Sequence, residues 1–264
     1  MAQRRFFPGW ASTAIGGVIT GSVRTGTVLA DGPAASYVAL PEGDGAPDRL
    51  LGLLAPEAVR LPIGMCVLEG PLPPRGTTVH VGEGRIVAGG CTWQPVRWWD
   101  PRPRLDVAAL FAHADLLIDA VDAEPAGAFG LPLPVAFAVA GALARSDVSP
   151  AYGVLGLGPG LTPTGDDIVA GAFAVLAIAG RLDDAVRAAV DAHAHTRTTA
   201  LSAALVAAAG RGEMIPQAAR LLASVAAGGP RPQVAAAARS LFAVGSTSGH
   251  DLAAGLAGAL QAAS

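Results

Sequence analysis

The feature that most constrains the fold of this chain is a change near residue 100 in the length and spacing of the apolar segments that lie between turn residues. Before that point, short aliphatic or Thr/Val-rich segments alternate with Gly, Pro and Asp turns, a pattern typical of strands. We predict strands at residues 13–19, 27–30, 37–40, 65–68, 77–81 and 85–87, with a short helical turn within 48–54. Because no long helix separates them, these strands predict a small antiparallel barrel or sandwich.

After a proline-containing linker at residues 98–104, the sequence pattern is typical of helices, with Gly or Pro at nearly every junction between them. The predicted helices are 105–121, 134–144, 166–180, 183–195, 199–210, 213–226, 232–242 and 250–263. The expected fold class is therefore α+β, with a β-rich domain over residues 1–100 and an α-helical domain over 101–264.

A glycine-rich segment, residues 156–167, leads into one of these helices with the sequence Gly-Leu-Gly-Pro-Gly-Leu-Thr-Pro-Thr-Gly-Asp-Asp. Gly158 and Gly160 allow a close backbone approach to a ligand. Thr164 is predicted to cap the helix, and Gly165 follows in its first turn. The first-turn amides would then face the loop, a geometry suited to phosphate or carboxylate. A well-capped buried helix without a ligand is the alternative.

The pattern occurs a second time, because residues 246–255 align with residues 162–171. Both segments read hydroxyl, any residue, hydroxyl, Gly, polar, Asp, aliphatic, small apolar, Ala, Gly. The later glycine of each leaves room for a neighbouring helix. Two such helix starts can converge on one anion, or an old duplication can have left two similar caps with no shared ligand.

The carboxylates of these motifs and His250 are the candidate catalytic groups. Asp166 and Asp167 are adjacent, so on a helix they point about 100° apart, and one is expected to brace the loop while the other faces the site. His250 and Asp251 occupy the equivalent positions of the second motif. Asp167, Asp251 and a histidine would alternatively suit Mg²⁺, since hard cations favour carboxylates.

Arg197 lies among hydroxyls in Thr196-Arg197-Thr198-Thr199, which is predicted to form a helix start. Capping hydroxyls with a planar guanidinium suit a phosphate. An ordinary cap with a solvated arginine is the other interpretation. The candidate residues for binding phosphate or substrate are Gly158, Gly160, Thr162, Thr164, Gly165, Arg197, Ser246, Thr247, Ser248 and Gly249.

Composition narrows the function further. The net charge is −3 and no basic run occurs, which argues against a nucleic-acid partner. The chain has no lysine, so it has neither a P-loop lysine nor a Schiff-base lysine. The longest uncharged stretch, 125–144, is interrupted by prolines and predicts no membrane span. Cys66 and Cys91 lack metal-ligand spacing and suit buried thiols in the cytoplasm.

These motifs resemble a known bacterial family. Gly-Pro-Gly-Leu-Thr-Pro-Thr-Gly-Asp-Asp before an apolar helix, Thr-Arg-Thr-Thr-Ala-Leu-Ser at 196–202 and Thr-Ser-Gly-His-Asp-Leu-Ala-Ala-Gly near the C-terminus are similar to the family of AllH, a subunit of oxamate carbamoyltransferase in allantoin degradation. The resemblance covers most of residues 100–264. The chain departs from the family pattern at Thr164, where serine is common, and at Ser246, where histidine is often found.

The resemblance implies a subunit of a carbamoyltransferase system in purine catabolism. Such a system interconverts an N-carbamoyl compound plus phosphate with an amine or amide plus carbamoyl phosphate. The implied partners are a small anion (phosphate, carbamoyl phosphate or a carboxylate) and other enzyme subunits. Two alternatives remain, namely a non-catalytic scaffold or anion-sensing subunit and a metal-dependent hydrolase that uses Asp167, His250 and Asp251.

Overall fold

The structure is a computed structural model that describes residues 5–43, 46–124 and 131–263. The chain divides into two compact units, residues 1–101 and 102–264. The first is a closed β-barrel and the second consists of helices. The expected fold class, α+β with the β-rich part first, is therefore confirmed.

The barrel unit contains eight strands within the described residues. They are β1 (Arg5–Ser12), β2 (Arg24–Asp31), β3 (Ala35–Leu40), β4 (Arg49–Leu54), β5 (Gly64–Val67), β6 (Thr78–Gly82), β7 (Arg85–Ala88) and β8 (Cys91–Trp99). Their order around the barrel is β1-β5-β4-β3-β2-β6-β7-β8, with β8 closing onto β1. The β1–β8 and β4–β5 pairs are parallel, so the expectation of an antiparallel barrel or sandwich is corrected to a mixed barrel.

Two local predictions in this unit are wrong. Residues 13–19 form a 3₁₀ turn and helix α1 (Gly16–Thr20) instead of a strand, because Ile15, Val18 and Ile19 have helical spacing and all enter the barrel core. Residues 48–54 form β4 instead of a helical turn. That strand is buried on both faces, so its apolar residues do not alternate with polar ones.

The second unit contains ten helices within the described residues. They are α2 (Val107–Ala112), α3 (Ala114–Asp122), α4 (Leu133–Ala144), α5 (Ser149–Val154), α6 (Thr164–Ile178), α7 (Asp184–Arg197), α8 (Ala200–Ala209), α9 (Pro216–Ala226), α10 (Arg231–Phe242) and α11 (Ser248–Ala263). The predicted helix 105–121 divides at His113 into α2 and α3, and the short helix α5 was not predicted.

Helix α6 lies at the centre of this unit. Of its 15 residues, only Ala177 and Ile178 are not buried, and it packs against α4, α8 and α11. A helix that is apolar on all sides is stable only when neighbours surround it. The start of α6, where the glycine-rich loop arrives, is consequently held in a fixed place. Among the described helices, none is long and apolar enough to cross a membrane.

Candidate functional site

The two glycine–aspartate helix starts lie side by side. The hydroxyl oxygen of Thr162, just before α6, is 2.8 Å from the hydroxyl oxygen of Ser248, the first residue of α11. The segments that align in the sequence therefore lie close together in space.

Paired glycines bring α6 and α11 together. A Cβ atom on Gly171 would collide with the carbonyl oxygen of Leu252, and one on Gly255 would collide with the carbonyl oxygen of Ile168. Gly171 and Gly255 are equivalent positions of the repeat. Each helix thus provides the gap that the backbone of the other occupies.

The similarity extends to the helices before the two loops. A Cβ on Gly165 would collide with the carbonyl oxygen of Val154, at the end of α5. A Cβ on Gly249 would likewise collide with the carbonyl oxygen of Leu241, in the last turn of α10. The two repeats are therefore both helix–loop–helix units closed by a packed glycine. The first loop is three residues longer, since the paired positions are 11 apart in the first repeat and 8 in the second.

The aspartates exchange hydrogen bonds between the two repeats. Asp167 of α6 accepts a hydrogen bond from Ser248 of α11, while Asp251 of α11 accepts one from Thr164 of α6 and another from Thr247. Each aspartate lies four residues before the crossing glycine of its own helix, so it lies on the face that contacts the other helix. The two carboxyl groups consequently sit at the shared end of the helix pair.

Burial sets the electrostatics of this carboxyl pair. It raises the pKa of Asp167 well above its usual range, with further increases from the charges of Asp251 and Asp166, although the Ser248 hydroxyl opposes them. Burial also raises the pKa of Asp251, against the lowering effect of two hydroxyl donors and His250. The Oδ2 atom of each carboxyl is buried and has no hydrogen-bond partner in the part of the chain that the structure describes. Asp167 is therefore biased toward the neutral acid, beside a carboxyl group with more donors around it.

Asp166, the other first-turn carboxylate of α6, has both oxygens engaged. It accepts a 2.7 Å hydrogen bond from the backbone N–H of Gly156 and a second from the hydroxyl of Thr198. These contacts tie the start of the glycine-rich loop to the end of α7. As helical geometry predicted, the two adjacent aspartates make different contacts. Those of Asp166 are the contacts expected of a residue that braces the loop.

His250 contacts a backbone carbonyl and an aromatic ring. Its Nε2 atom lies 2.7 Å from the carbonyl oxygen of Glu124, and its ring centroid lies 5.1 Å from that of Phe242. Among the described residues, no group of three or more His, Cys, Asp or Glu side chains is placed to hold a metal ion. The alternative that joins Asp167, Asp251 and a histidine around Mg²⁺ thus gains no support from the side-chain geometry.

Arg197 is the last residue of α7, not part of a helix start as predicted. The helical pattern runs on to Arg197 because a cation suits the negative end of the helix dipole. The cap of α8 is Thr199, whose hydroxyl accepts from the N–H of Ser202 and donates to the carbonyl of Leu161. The Arg197 side chain is exposed, and no described acidic group forms an ion pair with it.

The glycine-rich loop itself is exposed from residue 157 to 161. Gly158 and Gly160 have φ values of +120° and +91°, which favour glycine. Within the described chain, no acceptor is present for the N–H groups of Gly158, Gly160, Leu161 and Thr162, nor for those of Ser246 and Thr247 in the second loop. Both loops therefore offer free backbone donors.

The first turn of α6, by contrast, offers fewer donors than expected. Its N-cap is Pro163, and Thr164 makes no capping hydrogen bond. The N–H groups of Gly165, Asp166 and Asp167 donate to the carbonyl oxygens of Leu157 and Pro163. The prediction that Thr164 caps the helix is wrong because its hydroxyl bonds Asp251 instead. An anion would accordingly meet the loop amides and not the first-turn amides.

Two hydroxyls that hold the loop were not assigned this role from the sequence. Thr198 bonds Asp166, and Thr199 bonds the carbonyl of Leu161. Both follow Arg197 in a motif that the sequence analysis chose for its guanidinium. The three threonines next to the arginine could have indicated this role, since Thr side chains commonly form hydrogen bonds with nearby backbone groups.

A family model matches part of the chain. It describes the oxamate carbamoyltransferase subunit AllH and covers residues 154–260, from the end of α5 into the last turns of α11. The match contains both loops, both aspartates and the Thr-Arg-Thr-Thr segment, so the resemblance to the AllH family is confirmed over this part of the chain. A search of curated proteins and a search of solved structures gave no match.

Proposed function

We propose that this chain is a subunit of a carbamoyltransferase system that interconverts an N-carbamoyl compound and phosphate with an amine or amide and carbamoyl phosphate. The observation that carries the proposal is the contact between Thr162 and Ser248, which joins the two motifs of the repeat inside the segment that the AllH family model matches. The AllH description makes oxamate the first amide to test.

The phosphate is assigned to the loop of residues 158–165. The free N–H groups of Gly158, Gly160 and the two residues after it form a set of neutral donors, which binds an anion without adding a counter-charge. The backbone carbonyl of Arg197 lies against Gly156 at the start of the glycine-rich segment, and its exposed side chain is proposed to add a guanidinium that holds two phosphate oxygens. From the second repeat, the free N–H groups of Ser246 and Thr247 are assigned to the same anion.

The bond changes define what the carboxyl pair has to do. In phosphorolysis, a phosphate oxygen attacks the carbamoyl carbon, the C–N bond breaks and the leaving nitrogen takes up a proton. In the opposite direction, the nitrogen attacks carbamoyl phosphate, phosphate leaves and the nitrogen gives up its proton. Fixed N–H dipoles stabilise the charge on the oxygens in both directions.

Asp167 is the group proposed to carry this proton. Burial raises its pKa well above the usual range, so its neutral form persists where an ordinary aspartate is ionised. The Thr162 hydroxyl contacts Ser248, which in turn bonds Asp167, and this chain of hydroxyls links the loop to the acid. His250 is the second candidate for the proton, but its Nε2 atom is engaged with the Glu124 carbonyl.

A specific surface feature favours a partner subunit. Leu157 and Leu161 are 46% and 58% exposed, and they flank the glycines of the loop. Exposed leucines beside a site of polar donors are typical of a surface that another protein covers. This supports a second candidate function, a non-catalytic subunit whose loop completes an anion site in its partner.

The experiment that tests the proposal measures carbamoyl phosphate formed from N-carbamoyl-oxamate and phosphate. The purified chain is assayed alone and together with the proteins encoded beside it. We expect turnover in the complex and a loss of at least about 100-fold for Asp167→Asn, the usual effect of removing a proton-transfer group. Asp191→Asn is the matched control, because burial also raises the pKa of Asp191, on α7. Turnover that Asp167→Asn leaves unchanged would favour the non-catalytic function.

A further inference from the structure

One carboxyl oxygen of Asp251 is buried without a hydrogen-bond donor among the described residues. Its side chain is 1% exposed, its Oδ2 atom has no hydrogen-bond partner among the described residues, and the hydroxyls of Thr164 and Thr247 bond the carboxyl group. Nearly all buried polar atoms of folded proteins have a partner. A buried acceptor without a donor in the described part of the chain therefore points to a donor on a ligand.

We propose that the free oxygen of Asp251 accepts a hydrogen bond from the NH₂ of the carbamoyl group, and so makes this site select carbamoyl phosphate over acyl phosphates that lack an N–H. The inference rests on the function proposed above and adds a specificity-determining residue to it. An ionised carboxylate oxygen only accepts hydrogen bonds, so an NH₂ group satisfies it and a methyl group does not.

The surroundings of the carboxyl group fit this ligand. Thr164 and Thr247 come from different repeats, and together they fix Asp251 between two loops that both carry free N–H groups. A molecule with an oxyanion at one end and an amide nitrogen at the other can satisfy the loop donors and the aspartate at once. Carbamoyl phosphate has both ends.

The two aspartates of the repeat are not interchangeable in this role. Burial raises the pKa of Asp251, but two hydroxyl donors oppose this rise and favour the charged form. Asp167 has one hydroxyl donor and lies deeper in the field of other carboxylates, which favours its neutral form. The pair thus offers one acid for proton transfer and one acceptor for the amide.

The free oxygens of Asp167 and Asp251 are both buried, so a ligand can reach Asp251 only if the groups around it move.

The test compares two ligands that differ only by NH₂ and CH₃, carbamoyl phosphate and acetyl phosphate. Calorimetric titration of the full chain is expected to show a preference for carbamoyl phosphate of about tenfold or more, the usual effect of one hydrogen bond to a charged group. Asp251→Asn places an N–H donor where the free oxygen lies. It should therefore weaken the binding of carbamoyl phosphate only and remove the preference over acetyl phosphate. Asp191→Asn should keep the preference.

Each outcome decides between the two proposals. Equal affinities in the wild type would overturn the role of Asp251 while leaving the anion loop in place, and this comparison holds even if the Asp251 variant does not fold. Equal affinities for the two ligands in the presence of Mg²⁺ would overturn it as well. Failure of both ligands to bind would contradict the proposed function itself.

Discussion

Gly171 of α6 and Gly255 of α11 each face the backbone of the other helix, and neither position has room for a Cβ atom. One turn earlier on the same faces lie Asp167 and Asp251, which accept hydrogen bonds from the opposite helix start. The small residues and the carboxyl pair are therefore parts of one arrangement. Close packing of two similar helices creates the shared end where the loops meet.

Replacing either crossing glycine should destabilise the fold. Gly171→Ala and Gly255→Ala are each expected to lower the free energy of unfolding by about 1–3 kcal/mol, because the helices must separate to admit a methyl group. Urea denaturation measures the effect. The control is Gly153→Ala in α5, where a Cβ would meet nothing within 4 Å. That variant should be neutral or slightly stabilising, and a similar loss in all three would show that the crossing is not the cause.

The stability of the chain should depend on pH through Asp167. Its pKa is higher in the folded state than in the unfolded state, so the folded state binds the proton more tightly. The contribution to the free energy of unfolding is then greatest at low pH, and it falls as the pH rises from the unfolded pKa toward the folded one, by at most about 1.4 kcal/mol per pH unit for one proton. Urea unfolding between pH 5 and 7 should show a shallower fall for Asp167→Asn than for the wild type.

The exposed Asp122 at the end of α3 provides the comparison for this titration. Asp122→Asn should reproduce the wild-type pH dependence. If Asp167→Asn does so as well, the buried carboxyl does not titrate as described.

Arg197→Lys should weaken phosphate binding without affecting the fold. The side chain is exposed, so its replacement costs little packing, but a two-point fork becomes a single charge. We expect about a fivefold increase in Kd, corresponding to about 1 kcal/mol. Arg220→Lys, an exposed site within α9, is the control and should leave Kd unchanged. Equal affinities for all three proteins would place the guanidinium outside the anion site.

Short-range signals made part of this site predictable. Glycine, hydroxyl and aspartate residues at helix starts interact mainly with neighbouring residues in the sequence. The alignment of residues 162–171 with 246–255 could therefore be recognised from the sequence alone. The adjacency of Asp166 and Asp167 also required that they diverge, since successive residues on a helix point in different directions.

Contacts that join distant segments were not readable in this way. The hydrogen bond from Thr164 to Asp251 joins residues that are far apart in the sequence. Because the Thr164 hydroxyl is engaged in it, Thr164 does not cap α6 as predicted. His250 likewise bonds the carbonyl of Glu124, which no local pattern indicates. In the barrel, the doubly buried strand β4 lacked the alternation that identifies strands. Tertiary packing decided each of these cases.

The central claim is that the glycine-rich loop before α6 binds the phosphate of carbamoyl phosphate. The direct test is calorimetric titration of carbamoyl phosphate into the wild type, Gly160→Val and Gly76→Val. Gly160 and Gly76 have φ values of +91° and +82°, and at both a Cβ would meet nothing within 4 Å, so both variants carry similar backbone strain. We predict binding by the wild type and Gly76→Val and a loss of at least about tenfold in Gly160→Val, whose side chain blocks the approach to the loop amides. Equal affinity in all three proteins, or no binding by the wild type, would contradict the account.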